Sequence, residues 1–497
     1  MGPEHLRFGG GSTETLLHPA VLAVMLVVIL TMFLLPRKYL VVPFLLCAML
    51  IPAGQGIYFL GLHIFVLRIV LLFAWVRLGY EKFFSRADLI SGGMNSIDKV
   101  CILWALCHSL AFVFLYREMG AVINQVSFLY DVFAAYFLLR YLIQDEQDMR
   151  RVVKVFAAIA VIVAVAMVHE KLSDSNIFGY LGGVPVISGY REGAIRAQGP
   201  FAISILAGAF GATLLPLFVW LWKVGKSKLL ALAGVVAATA ITVTSASSTP
   251  LLAYVAGVAA IFLWPVRKWM RPIRWGIVIG LVLLNVVMKA PVWFIINHID
   301  LVAGNSGYHR AMLIDQFVRH FSDWWMFGTA SSPTWGEDMW DTANGYVQEG
   351  IVGGLFALVF FIAVISRSFA TLGKARKAVE DDRQKQWTIW LLGAALFAHV
   401  VAYFGISYFD HTQVAWFALL AMISAATFPI LGTQTSEAPQ NELAPGASQF
   451  RYAYPAPGDV PRAARRSRME QAAAPAGANG GKLGGGKLGG IGKFEKL

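Results

Sequence analysis

The chain has 497 residues, of which 57% are hydrophobic and only 14% are charged, whereas about 25% of the residues in an ordinary soluble domain are charged. This composition excludes a water-soluble globular protein, because one core could not bury so much apolar surface. The formal net charge is +12, but the basic residues lie in short loops and a tail beside apolar segments. Membrane orientation explains that placement better than a nucleic-acid partner does, so no nucleic acid is predicted.

Long apolar segments recur from residue 20 to residue 431. A helix needs about 20 mainly apolar residues to cross a bilayer, and backbone groups inside lipid must be hydrogen-bonded within the segment, which favours helices. The sequence therefore predicts an all-α polytopic membrane protein with about 12 to 13 transmembrane helices. The predicted spans are 20–35, 39–53, 57–76, 100–116, 122–141, 152–168, 200–222, 229–245, 251–265, 275–290, 347–366, 387–406 and 413–431.

Lysine and arginine clusters fall in alternate loops between these spans, as the positive-inside rule requires of cytoplasmic loops. This pattern places the N-terminus outside, the C-terminus inside, and the long loops 169–199 and 291–346 on the extracytoplasmic side. The basic clusters begin at Arg37, Lys82, Arg150, Lys223, Arg267 and Lys374.

Two regions follow from composition: a membrane domain, 1–432, and a basic cytoplasmic tail, 433–497, which is rich in Gly, Ala and Pro and predicted to be disordered. The tail's basic run, 462–468, suits either a solvated linker, which we favour, or contact with anionic headgroups. Cys47, Cys101 and Cys107 lie in apolar segments without metal-ligand spacing. They suggest neither a disulfide framework nor a zinc site, and no metal or other cofactor is predicted.

Two arginines occur on an outside loop, in the sequence GYREGAIRAQGPF that precedes the span at residue 200. Arg191 and Arg196 run against the positive-inside bias, and a guanidinium presents a fork of donors suited to phosphate oxygens. Arg196 is the stronger candidate because a Gly-Pro turn follows it closely. The alternative is a pair of surface charges, or partners for Glu192.

The loop that begins at Gly307 contains a predicted amphipathic helix, 312–321, with apolar side chains facing the membrane surface and Trp324 and Trp325 at the interface. Arg310 has no acid at helical spacing upstream, so we expect it to bind a phosphate. By contrast, Arg319 follows Asp315 by four residues, which predicts an ordinary ion pair. His320 is predicted to lie at the interface.

The same loop ends with carboxylates that approach the span at residue 347. Glycosyl transfer needs a base to accept the proton of an acceptor hydroxyl, and a carboxylate in a partly desolvated site can serve. Asp341 is the first candidate, with Asn344 and Tyr346 positioning the acceptor; the alternative is that Asp341 only caps the helix that contains Asn344. Elsewhere, Asp410 and His411 either belong to the site or pair with each other.

Several motifs together resemble the O-antigen ligase and O-antigen polymerase superfamily of bacterial envelope proteins. They are RAQGPF at 196, SASSTP at 245, YHRAMLID at 308, WWMFGT at 324 and WDTANGYVQEGIVGGL at 340. The resemblance implies a C-type membrane glycosyltransferase of the bacterial inner membrane. It would take a glycan from an undecaprenyl pyrophosphate carrier and transfer it to a glycan or glycolipid acceptor, without a metal or nucleotide sugar.

The resemblance also implies roles for particular residues. Arg196 and Arg310 match family arginines thought to hold the pyrophosphate, and Arg191 matches more loosely. Ligases carry a His-Asn pair at the end of the loop, with the histidine as a candidate base, but here Ala343 precedes Asn344. Tyr346, Gly353 and Gly354 retain the family pattern in a shortened form.

The missing histidine has two consequences. Asp341, His309 or His411 would have to supply the base, and a polymerase or a less typical branch is favoured over a lipopolysaccharide ligase. The overall prediction is an inverting transferase with an extracytoplasmic cavity between the helices and the loop 291–346. A flippase or other transporter for lipid-linked oligosaccharides is the main alternative, and a scaffold subunit of an export complex is a third.

Overall fold

The computed structural model describes residues 15–59, 62–85, 93–225, 227–299 and 306–436. The predicted tail, 433–497, lies outside these residues from position 437 onward. The described helices are α1 (Pro19–Leu34), α2 (Arg37–Leu50), α3 (Val66–Ser85), α4 (Ser96–Tyr116), α5 (Met119–Leu142), α6 (Glu146–Ser173), α7 (Ser204–Val224), α8 (Lys228–Thr244), α9 (Ser248–Phe262), α10 (Met270–Val287), α11 (Ser306–Arg319), α12 (Phe321–Trp324), α13 (Gly345–Ala378), α14 (Arg383–Ala402) and α15 (Asp410–Ser436). Short 3₁₀ helices occupy Ile177–Leu181, Trp264–Trp269, Val292–Ile299 and Ser332–Trp335.

The helical architecture confirms the predicted fold at its coarse level, since each predicted span coincides at least in part with one helix. Among the described residues, seven helices are long and apolar enough to cross a membrane. They are Ser96–Tyr116, Met119–Leu142, Glu146–Ser173, Ser204–Val224, Trp264–Val287, Gly345–Ala378 and Asp410–Leu431. Three further apolar helices, α1, α8 and α9, are shorter. These features are compatible with an all-α polytopic membrane protein.

Two antiparallel hairpins interrupt the helical pattern: β1 (Gly56–Phe59) with β2 (Leu62–Phe65), and β3 (Gly189–Arg191) with β4 (Ala194–Arg196). The predicted span 57–76 is therefore wrong in its first part, and its helix begins only at Val66. The segment is rich in aromatic and β-branched residues, which suit a strand. In addition, the backbone of Gly56 exchanges two hydrogen bonds with that of Leu16, at 2.9 and 3.1 Å.

Helix α13 is broken near its start, and the break anchors the large loop. Gly354 has φ +69, a left-handed conformation that favours glycine. The loop supplies the missing hydrogen bonds: Thr329 N donates to the carbonyl of Ile351 at 2.7 Å, and Leu355 N donates to that of Trp325 at 2.8 Å. The glycine pair therefore allows the loop to enter the helix and fixes the loop against it.

The predicted amphipathic helix 312–321 is observed as α11 and α12, and part of its apolar face packs inside the protein, whereas Phe321 and Trp325 are exposed. Leu313, Phe317 and Trp324 are buried in a small cluster together with Ile351 of α13. The indole of Trp324 donates to the carbonyl of Phe317 at 2.8 Å and stacks on its ring at a centroid distance of 3.9 Å. The loop thus has a small core of its own. Helical spacing alone had predicted that these apolar side chains face the membrane surface.

Other predicted contacts in this loop can be checked directly. Arg319 and Asp315 form the expected ion pair, at 2.6 Å. His320 stacks on Trp335 with ring centroids 4.9 Å apart, so a protein ring packs against it.

The loops predicted to be extracytoplasmic meet at one end of the helical bundle. Ala53 N donates to the carbonyl of Pro200 at 3.2 Å, and Gly345 N donates to that of Tyr403 at 2.7 Å. Arginine and lysine side chains pair with carboxylates at the other ends of the same helices, as in the ion pairs Arg37–Asp148 (3.5 Å), Arg150–Glu146 (2.6 Å) and Lys268–Glu380 (3.1 Å). We call the end at which these loops meet the loop end of the bundle.

Candidate functional site

The turn between α8 and α9 lies at the loop end and leads into the start of α9, where Ser247 and Thr249 are buried. Ser247 is the N-cap of α9, yet its side chain does not cap the helix. Instead, its hydroxyl donates to the carbonyl of Ser245 at 3.0 Å. Thr249 Oγ1 is buried and has no hydrogen-bond partner among the described residues. Backbone N–H groups and the helix dipole make such a helix start favourable for an anion.

Arg196 reaches this turn from the end of β4. One guanidinium nitrogen, Nη2, donates to the hydroxyl of Ser247 at 2.9 Å, while Nε is buried without a hydrogen-bond partner among the described residues. Burial lowers the pKa of Arg196, and the charge of Arg191 nearby lowers it further. The structure therefore places a half-buried cation, next to a second cation, at the start of α9.

Glu170 holds the chain that follows Arg196. Its buried carboxylate accepts the N–H groups of Gln198, at 3.1 Å to both oxygens, and Gly199, at 2.8 Å. It also accepts the hydroxyl of Ser188 at 3.0 Å. Sequence reasoning credited the Gly-Pro turn alone and missed Glu170, although an acid just after an apolar span is a signal that could have identified it.

Arg310 approaches the same turn from α11. It lines a cavity of about 200 Å³ together with Ser248 and Thr249, and with Gly405 at the end of α14. The approach is close, since a Cβ added at Gly405 would lie 2.0 Å from Thr249 Oγ1. Two arginines that are distant in sequence therefore converge on one turn. Arg310 is the one of the three candidate arginines that lines this cavity; Arg196 contacts the turn at Ser247, and Arg191 lies exposed on β3.

Asp341 and His309 lie together on the large loop. His309 Nε2 donates to the backbone carbonyl of Asp341 at 3.0 Å, which leaves the Asp341 carboxylate out of that contact. The Asp341 residue is exposed, so the partly desolvated setting expected for the base is not observed around it in this structure. The two candidate bases are thus neighbours, and the His309 ring holds the backbone of Asp341.

Asn344 and Tyr346 use their polar atoms within the fold. Asn344 is buried, and its Oδ1 accepts the N–H groups of Tyr346 at 3.0 Å and Val347 at 3.2 Å. The cap of α13 is therefore Asn344 and not Asp341. The Tyr346 hydroxyl donates to the carbonyl of Val400 at 3.1 Å, and its ring packs on Phe404. Both residues hold the start of α13 in place, and their predicted role in positioning an acceptor stays a prediction.

A second cavity, of about 490 Å³, contains a carboxylate with two aromatic partners. Glu349 Oε2 accepts the indole N–H of Trp104 at 2.8 Å and lies 3.0 Å from His108 Nδ1. The sequence had indicated Glu349 only as a carboxylate entering a span. The role of His108 was missed, and a histidine inside an apolar span was its only signal.

A third cavity, of about 280 Å³, contains the remaining sequence candidates at this end. Arg68 donates to both carboxylate oxygens of Asp131, at 2.8 and 2.7 Å. Asp410 also lines this cavity, whereas His411 Nε2 donates to the carbonyl of Ile51 at 2.8 Å. His411 is therefore committed to the backbone of the neighbouring loop rather than paired with Asp410.

Within the described ranges, no group of three His, Cys, Asp or Glu side chains is placed to hold a metal ion. A comparison with protein-family models finds no match, and a comparison with curated proteins finds none either.

Proposed function

We propose that this protein is a bacterial inner-membrane glycosyltransferase that transfers or polymerises a glycan from an undecaprenyl pyrophosphate carrier. The observation that carries the proposal is the convergence of Arg196 and Arg310, from two separate loops, on the uncapped start of α9. Two guanidinium groups and a helix N-terminus are suited to a doubly charged pyrophosphate. The proposed topology has 12 or 13 spans, the N-terminus outside, and the loop end extracytoplasmic.

In the proposed reaction, an acceptor hydroxyl oxygen attacks the anomeric carbon of the donor sugar and forms the new glycosidic bond. The bond from that carbon to the pyrophosphate oxygen breaks, the carbon inverts, and the pyrophosphate takes the bonding electrons. Arg196 and Arg310 stabilise the charge that develops on this leaving group.

The proton of the acceptor hydroxyl passes to a base, for which Asp341 is our candidate. His309 is less available because its Nε2 is bonded to the Asp341 backbone. Asn344 and Tyr346 act as positioning residues: they fix the start of α13 directly after Asp341.

The test is glycan transfer in proteoliposomes supplied with an undecaprenyl-pyrophosphate-linked oligosaccharide. Arg196→Ala, Arg310→Ala and Asp341→Asn should each abolish most of the transfer. Arg319→Ala is the matched control, because Arg319 lies on the same helix as Arg310 but is largely exposed and already paired with Asp315. Equal transfer by all four variants would refute the proposal.

A flippase for lipid-linked oligosaccharides is the second candidate. It is favoured by the ionisable groups that line cavities within helices at the loop end, among them Asp131 and Glu349, since such groups often mark transport paths. Movement of labelled lipid between leaflets, without any covalent product, would establish this function in place of the transferase.

A further inference from the structure

The second and third cavities adjoin. Four residues line both of them, namely Asn124, Phe128, Phe409 and Gln413. We call the combined space the loop-end groove. Its two parts, about 490 and 280 Å³, compare with the roughly 300–1,000 Å³ of typical ligand sites.

The walls of the groove combine aromatic rings with planar polar side chains. Phe112, Phe128, Tyr408 and Phe409 line the groove with rings that are at least partly exposed. Primary amides provide both donors and acceptors, and these are Asn124, Gln125, Gln348 and Gln413. A sugar ring presents C–H groups on its faces and hydroxyls around its edge. Aromatic rings and planar amides are the side chains that complement those two surfaces.

Some polar atoms of the groove have unused hydrogen-bonding capacity. Gln125 is only 4% exposed, and its Oε1 is buried without a hydrogen-bond partner among the described residues. The same holds for Nδ1 of His411, a residue that is also 4% exposed. An unpaired buried polar atom is costly, so the wall of the groove contains two polar atoms whose hydrogen bonds the described residues do not supply.

The charges of the groove select among polar ligands. Glu349, Asp131 and Asp410 are carboxylates, whereas Arg68 is the single guanidinium among the described lining residues, and Asp131 already neutralises it. His108 lies 3.0 Å from Glu349, so the groove is negative through Glu349 and Asp410 together when that histidine is neutral, and through Asp410 when it is protonated. A ligand with its own carboxylates would be repelled, and an uncharged one would not.

We propose that the loop-end groove binds the sugar rings of an uncharged oligosaccharide, with Glu349 and Asp410 accepting hydrogen bonds from its hydroxyls. Its assignment as the acceptor site rests on the proposed transferase function. The groove is suited to that role, because one short segment, 401–409, contributes lining residues both to it and to the Arg310 cavity. Val401, Phe404 and Gly405 line the cavity, whereas Tyr403, Ser407 and Tyr408 line the groove.

The test measures binding to the purified full-length protein by calorimetry and tryptophan fluorescence. The probes are two uncharged oligosaccharides, chitotetraose and maltotetraose, and one anionic oligosaccharide, trigalacturonate. We expect at least one uncharged probe to bind and trigalacturonate to bind at least about tenfold more weakly. Because the assay contains no pyrophosphate and no transfer step, its result is independent of the transferase assay.

Glu349→Gln and Asp410→Asn keep the side-chain shape but remove a charge. Each should weaken binding of the uncharged probe by about tenfold, because hydrogen bonds to charged groups are the stronger ones, and should improve binding of trigalacturonate. Glu349→Gln could also weaken the contacts of Glu349 with Trp104 and His108. Asp410→Asn tests the same proposal without changing those contacts. The matched control is Glu380→Gln, a carboxylate at the opposite end of the bundle.

Three results would overturn the proposal: no binding of either uncharged probe, equal binding of charged and uncharged probes by wild type, or variants that behave like Glu380→Gln. If the groove binds sugars but the protein transfers no glycan, the sugar-binding proposal is retained and the proposed transferase function is refuted.

Discussion

The role of Glu170 leads to a prediction whose size follows from its contacts. In Glu170→Gln one side-chain oxygen remains. It can still accept the hydroxyl of Ser188 and the N–H of Gln198, as Oε1 does now. The amide nitrogen that replaces the other oxygen cannot accept the N–H of Gly199, now 2.8 Å from Oε2. Losing one buried, charge-assisted hydrogen bond costs about 2 kcal/mol.

That loss should appear locally, because the bond holds one short segment. A cost of about 2 kcal/mol corresponds to a roughly 30-fold increase in local opening, which amide hydrogen exchange measures. We expect faster exchange of that order at Gln198 and Gly199 and weaker binding of undecaprenyl pyrophosphate, since Arg196 precedes this segment directly.

The matched control is Glu146→Gln, on the same helix but half-exposed and paired with Arg150 at the opposite end. It should change neither quantity. Unchanged exchange at Gln198 and Gly199 in Glu170→Gln would refute the assignment of Glu170 as a positioning residue.

Three other changes give distinct outcomes. Asn344→Ala removes the cap of α13 and should lower thermal stability by about 1–2 kcal/mol, measured by a melting assay in detergent; an unchanged melting temperature would contradict the cap. Gly354→Ala places a Cβ 2.5 Å from the Met326 carbonyl at φ +69, so proteolysis of the adjacent loop should become faster, and equal rates would count against the anchor. Gly405→Ala places a methyl group against Thr249 and should reduce pyrophosphate binding, while circular dichroism shows that the protein remains folded. Binding equal to wild type would show that the contact between Gly405 and Thr249 is not part of the site.

Much of the architecture could be predicted because lipid imposes a simple rule on long apolar segments. The helices α4 to α7 lie close to their predicted positions for this reason. The hairpin at Gly56–Phe65 was not predicted, since an apolar run of strand-forming residues looks the same as the start of a span until its tertiary partner, Leu16, is known.

The site was predicted only in part. Arg196 was singled out because a cation on a loop predicted to lie outside runs against the charge rule, and Arg310 because no acid lies at helical spacing upstream of it. Glu349 and His108 are 241 positions apart, so no local pattern pairs them. The chemistry of Asn344 suits both a helix cap and a contact with substrate, so its sequence could not show the cap that the backbone geometry reveals.

The most direct test of the central claim is equilibrium binding of labelled undecaprenyl pyrophosphate, without a glycan, to the purified full-length protein. Arg196→Ala and Arg310→Ala should each weaken binding by about tenfold or more, since each removes charge-assisted hydrogen bonds to phosphate. Arg319→Ala should bind as wild type does. If all three variants bind the lipid equally well, the turn before α9 is not a pyrophosphate site and the account is wrong.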